Sequence, residues 1–172
     1  DQAVSQPNFW GIAGVARREH SHSNFLAWVL DPRADHGLGH AFLGAFMMAV
    51  VPEKSRAAME RVSEEEWGAG VVRREWQHMD LVIEVAGWAC VVENKIGSGE
   101  HSNQLERYEQ TLRRLLPEKE RFGVFLTVGG AEPNGSAGGF FRGWSHVDLA
   151  CILRKITAQK SEWLSPKQRL LL

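Results

Sequence analysis

Cysteine is scarce, with only Cys90 and Cys151 in 172 residues. A disulfide framework is therefore excluded as the source of stability. Both thiols lie in apolar stretches and read as buried small residues in a reducing cytoplasm. No Cys/His spacing of the zinc-binding kind is present. No apolar run reaches the roughly 18 residues that would suggest a membrane span. The first residues also lack the charged and then apolar pattern of a signal peptide. Excess charge of one sign is missing too, the net charge being -1. That argues against a dedicated basic coat for nucleic acid, but not against a local basic groove. There is no internal repeat and no long low-complexity tract. The chain starts at Asp1 rather than Met and stops at Leu170-Leu171-Leu172, which reads as an excerpt of a longer protein.

What is present suits a single soluble domain: 44% hydrophobic and 24% charged residues, over a length that builds one core. Phe25 to Leu30 reads as helix, ended by Asp31-Pro32. Leu38 to Val51 reads as a second helix, ended by Pro52. Residues 53–69 are charged and read as a helix or a surface connection. Then the period changes to two. Residues 71–78, 79–86 and 88–95 read as three strands, broken by Gly97-Ser98-Gly99. A helix is expected over 102–116, with Leu105, Tyr108, Leu112 and Leu115 on one stripe. Asn103 and Glu106 suit a capping box at its start. Residues 122–128 read as a strand, the Gly-rich 129–143 as a loop, and 147–157 as a helix on the far side. This order predicts an α/β fold: a mixed sheet with helices on both faces.

Chemistry concentrates around one hairpin. If Ala86-Gly87 is a two-residue loop, Val85 faces Trp88, Ile83 faces Cys90 and Leu81 faces Val92. That face is wholly apolar, so the register buries a consistent surface. On the other face Glu84 meets Ala89, Val82 meets Val91, and Asp80 meets Glu93. Lys95 follows on the same side as Glu93. Directly opposed residues have Cβ atoms about 4.5–5.5 Å apart, so the two carboxylates repel, and half-burial makes that costlier. One lysine does not balance both. A divalent cation would, and hard oxygen ligands suit Mg2+ or Mn2+. An arrangement poor for stability and good for a metal marks a functional site. Phosphodiester hydrolysis needs such a site. Lys95 would orient the attacking water or offset developing negative charge. The Asn94 carbonyl is a further ligand candidate.

At these residues the chain resembles the PD-(D/E)XK nuclease superfamily. Asp80 matches the family's first acid, here preceded by Met79 rather than Pro. Glu93-Asn94-Lys95 matches the paired acid and lysine. Gln104-Leu105-Glu106-Arg107-Tyr108 looks like the Gln-xxx-Tyr motif of the RecB-like and lambda-exonuclease-like branches, with Gln104 and Tyr108 on one helical face. Glu19 to Pro32, and likewise His36 to Gly39, look like the N-terminal helix of one bacterial subfamily. The resemblance implies a restriction-endonuclease-like core with a four-stranded mixed sheet (αβββαβ) and an extra N-terminal helix. It implies a Mg2+- or Mn2+-dependent deoxyribonuclease acting in bacterial defence, restriction or repair, with DNA and other domains or subunits of a defence complex as partners. It also implies that Gln104 lies near the active site and that Glu19 joins Asp80, Glu93 and Asn94 at the metal.

Tyr108, Arg73, Arg74 and Arg107 are candidates for contact with nucleic acid, beside the blander reading of a charged helix face for Arg107. Glu84 shares the active face but reads better as a strand-end residue. Trp10, Trp67, Trp76 and Trp144 read as anchors in the core or loops, and most histidines as surface or hydrogen-bonded residues. Two alternatives stand beside the enzyme: a non-catalytic nucleic-acid-binding module on the same scaffold, and an interaction domain whose acids form a solvated patch.

Overall fold

The computed structural model describes residues 18–97, 103–134 and 138–172. Trp10, Ser98, Gly99 and Ser102 lie outside them. The order of elements is α1 (Glu19–Leu30), α2 (Ala41–Val50), α3 (Glu53–Met59), α4 (Glu64–Gly68), β1 (Val71–Arg74), β2 (Leu81–Val85), β3 (Trp88–Lys95), α5 (Gln104–Leu115), β4 (Glu120–Thr127), β5 (Phe141–Ser145), α6 (His146–Gln159) and α7 (Pro166–Leu171). The five strands form one sheet in the order β1-β2-β3-β4-β5. β2 is antiparallel to both of its neighbours, β1 and β3, while β4 and β5 run parallel to β3. The expected mixed sheet is present, and its hairpin pairs Leu81 with Val92, Ile83 with Cys90 and Val85 with Trp88.

Alternation along β2 and β3 sorts the core into two layers. Leu81, Ile83, Val85, Trp88, Cys90 and Val92 pack with α1, α2 and α6 in the larger one. Val82, Val91 and Phe125 pack with Leu105, Tyr108 and Leu112 of α5 in the smaller one. Helices thus cover both faces, as a sheet with central apolar strands requires. No helix among the described residues is long and apolar enough to cross a membrane.

Four local expectations are corrected. The sheet has five strands rather than four, because part of the Gly-rich segment forms β5. There Phe141 lies against Gly123 and Trp144 packs edge-on to Phe46, with ring centroids 5.5 Å apart. Tertiary partners override weak local propensity at this strand. The first strand stops at Arg74, because Glu75, Gln77 and His78 have φ of 52°, 55° and 65°, which no strand accommodates. Asn103 also has positive φ, 61°, and makes no side-chain cap bond. The capping box requires an extended N-cap and does not form. Cys90 is buried but Cys151 is exposed, since Leu149, Leu153 and Ile156 supply the inward face of α6.

Gly123 tests the β4–β5 register. A Cβ there would stand 2.4 Å from Cδ1 of Phe141, closer than packed atoms tolerate. Gly123→Ala is expected to destabilise by about 1–3 kcal/mol through overpacking, read as a lower thermal midpoint. Adding Phe141→Leu should return part of the loss.

Candidate active site

The site forms where β3 and β4 end, at the carboxyl edge of the parallel strands. Ligands of open α/β sheets gather at such edges. Alternation turns Glu93 and Lys95 toward the α5 face, while Asn94 turns to the opposite one. All three are buried, Glu93 at 1% exposure, Asn94 at 0% and Lys95 at 8%. Asp80 stands one residue before β2 begins. Its Oδ2 accepts a hydrogen bond of 2.9 Å from the Asn94 backbone N–H.

The charges are unbalanced. Lys95 Nζ lies 2.8 Å from Glu93 Oε1, but Glu93 Oε2 is buried without a partner among the described residues. Burial, and then the charge of Asp80, push the Glu93 pKa up to about 7 against the pull of Lys95. Burial likewise raises Asp80, opposed by the Asn94 N–H and Lys95. Lys95 is raised although burial works against it, because Glu93 bonds it and Glu19 and Asp80 add negative charge. The charge of Lys95 is thus set against three carboxylates, Glu19, Asp80 and Glu93. Such displaced, mutually opposed titrations characterise functional sites.

Glu19 reaches this group from the first turn of α1. Its Oε1 accepts from the Ile96 backbone N–H at 3.0 Å. Among the described residues no three His, Cys, Asp or Glu side chains form a group able to hold a metal. A divalent cation nevertheless fits the donor set. Glu93 Oε2 is an orphaned, buried, hard oxygen, and Asp80 is near enough to perturb its titration. The residues that would hold the ion are Asp80 and Glu93, with the backbone carbonyl of Asn94. In a strand a residue's N–H and C=O point to the same side, so that carbonyl faces the Asp80 side as its N–H does.

The Gln-xxx-Tyr pair braces the approach to Asp80. Tyr108 is 5% exposed, and its hydroxyl donates to the His78 carbonyl at 2.6 Å. That hydroxyl has one proton, so it accepts from Gln104 Nε2, also at 2.6 Å. The direction fixes the Gln104 amide and leaves its Oε1 buried without a partner among the described residues. Burial, with Glu93 and Asp80 nearby, pushes the phenol pKa up to about 12 and keeps it a donor. The braced turn holds the positive-φ residues Glu75, Gln77 and His78, each costing on the order of 1 kcal/mol. Tyr108→Phe would take their partner from the part-buried His78 carbonyl and Gln104 amide. It is expected to cost about 1 kcal/mol in thermal unfolding and to lower cleavage by loosening Asp80.

The arginine candidates are dispersed. Arg73 is ion-paired to Glu84 and lies over Trp76, with 5.6 Å from guanidinium to ring centroid. Lys119 also approaches Glu84, at 3.6 Å, so this acid is neutralised in place at the hairpin end. Arg74 pairs with Glu75 at 3.1 Å. Arg107 is exposed on α5 and close enough to lower the Tyr108 pKa. His36 is buried between the Asp31 carbonyl and the Leu38 N–H, a brace for the loop after α1. Trp67 is buried in the larger core layer and Trp144 packs against it.

Two residues near the site escaped the sequence reading. Ser23 and His146 meet the Asn94 side chain from α1 and from the start of α6. They lie 71 and 52 positions away, so no local pattern could have marked them.

A family profile described as the PD-(D/E)XK nuclease superfamily matches residues 7–167. Nearly the whole chain is covered, and the sheet and flanking helices fit the restriction-endonuclease-like fold of that group. The chain belongs to the PD-(D/E)XK nuclease superfamily. No curated protein and no solved structure gives a match.

Proposed function

We propose that this domain is a Mg2+- or Mn2+-dependent deoxyribonuclease with Asp80, Glu93, Lys95 and Gln104 as its catalytic group. The observation that carries the reading is the buried Glu93 Oε2 beside Asp80, without a partner among the described residues. A fold has no structural use for an uncompensated buried carboxylate oxygen. When bound there, a divalent cation supplies a Lewis acid for the phosphate and a more acidic water.

The chain's own groups do the rest. Asp80 is held in place by the Asn94 N–H. Glu93 and Asp80 provide the ligand oxygens, with the Asn94 carbonyl beside them, and Glu19 adds negative charge from α1. Lys95 places its ammonium where it can steady the attacking water or the charge growing on phosphate. Gln104 Oε1 is a free acceptor able to orient water at the same place. Arg107 lies exposed on α5 as a contact for the phosphate backbone. Arg73 and Arg74 would reach DNA only by exchanging their present carboxylate partners. Tyr108 serves through the His78 carbonyl. The setting we infer is the cytoplasm of a bacterium, in defence, restriction or repair, with further domains or subunits of a defence complex as partners.

The test incubates the protein with plasmid DNA, linear DNA and RNA in Mg2+ or Mn2+, with Asp80→Asn as control. Metal-dependent DNA cleavage by the wild type alone supports the reading. Preferential RNA cleavage overturns the substrate, and binding without cleavage in either metal overturns the activity.

A further inference from the structure

The Asn94 side chain makes contacts that the catalytic reading does not use. It is wholly buried, on the sheet face opposite Glu93 and Lys95. Its Nδ2 donates to Ser23 Oγ at 3.1 Å and to the Glu19 carbonyl at 3.4 Å. A carbonyl only accepts, so the amide's orientation is fixed and Oδ1 faces His146. The 2.8 Å contact from His146 Nε2 must then be an N–H donating to Oδ1. One amide thus ties α1, β3 and the start of α6 together behind the acids.

The end of β3 and the residue after it present their backbone to the site. The Asn94 N–H holds Asp80, and the Ile96 N–H holds Glu19. Anything that fixes the Asn94 side chain therefore fixes two carboxylates through the backbone. We infer that His146 and Ser23 are positioning residues that lock Asn94, and through its backbone set Asp80 and Glu19 for a divalent cation. This rests on the metal reading above. The surrounding groups are suited to the task. His146 begins α6 directly after β5 and is only partly exposed. Ser23 is 2% exposed on α1. Buried polar networks specify a geometry through the bonds they make; here the Asn94 amide is bonded at both ends, while His146 Nδ1 has no partner among the described residues. Partners behind a metal ligand typically change affinity by about 10–100-fold when removed.

The test substitutes the nitrogen that carries the bond. In His146→Gln the amide nitrogen sits as many bonds from Cβ as Nε2 does, so the donor is kept. In His146→Asn it sits one bond short, and the donor is lost. Mn2+ binding to the whole protein is measured by calorimetry at one pH, together with hydrogen exchange at the Asn94 and Ile96 amides. Expected is a loss of affinity of about tenfold in His146→Asn, with faster exchange at both amides, and near wild-type values in His146→Gln. Ser23→Ala leaves His146 intact and should weaken binding by up to about fivefold, the value of one hydrogen bond. It carries the test if His146→Asn does not fold. A folded His146→Asn or Ser23→Ala with wild-type affinity and exchange overturns the inference alone, as does His146→Gln behaving like His146→Asn. A wild type that binds no Mn2+ overturns the metal reading, and the inference with it.

Discussion

Glu93→Gln is expected to abolish metal-dependent cleavage and, at the same time, to stabilise the metal-free protein above neutral pH. The reason is the sign of the Glu93 shift. Its carboxyl ionises near 4.5 when free of the fold and at about 7 within it. Between those values the folded state binds more protons than the unfolded state, so stability falls as pH rises. Below about 4.5 both states carry the neutral acid and there is no penalty. Above about 7 the whole penalty is present, up to about 3 kcal/mol. Glutamine is neutral at every pH and escapes it. Lys95 loses a partner in the exchange but keeps the charges of Asp80 and Glu19, so part of the gain survives. Thermal unfolding in a chelator, at about pH 5 and about pH 8, should show little difference at the first and a higher midpoint for Glu93→Gln at the second. A lower midpoint for Glu93→Gln at the higher pH would mean that the Lys95 ion pair, not the carboxylate crowding, dominates. Stability gained together with activity lost is the signature of a site strained for function.

Lys95→Ala is expected to lose about 10²–10³-fold in the cleavage rate while still binding Mn2+. Among the described residues the lysine is the only cation bonded to Glu93, and its removal takes positive charge away from three acids. At high pH, with those acids ionised, Mn2+ should bind as tightly as in the wild type or more tightly. Near neutrality the outcome reverses. Lys95 holds the Glu93 pKa down, so its loss raises that pKa, and the metal must then displace a proton. The midpoint of Mn2+ binding against pH should therefore move upward in Lys95→Ala. Calorimetry across pH and single-turnover cleavage separate these effects. Loss of Mn2+ binding at every pH would make Lys95 a structural support, and unchanged cleavage would remove it from the chemistry.

Much of this site was legible because β2 and β3 obey strict alternation. The wholly apolar face of Leu81, Ile83, Val85, Trp88, Cys90 and Val92 pointed to the register observed in the hairpin, and alternation along β3 alone put Glu93 and Lys95 on one side. Tertiary features were not legible in the same way. β5 forms because Gly123 leaves room for Phe141, a contact across 18 positions with no local signature. The turn from Glu75 to His78 adopts positive φ at residues that ordinarily avoid it, held by Tyr108 from a helix 30 positions on. α1 begins at Glu19, where the resemblance put it, although the apolar pattern marks it only from Phe25, because His20-Ser21-His22-Ser23 shows no apolar stripe and Ser23 is buried for its hydroxyl. Asn94 drew attention for its carbonyl, whereas its side chain gathers three elements that meet only after folding.

Whether Asp80 and Glu93 share a divalent cation is tested most directly by a crystal soaked in Mn2+ and measured at the manganese absorption edge. The predicted result is an anomalous peak in contact with carboxylate oxygens of both residues, absent in Asp80→Asn. Manganese bound elsewhere, or no peak with Glu93 Oε2 satisfied by a protein donor, would contradict it.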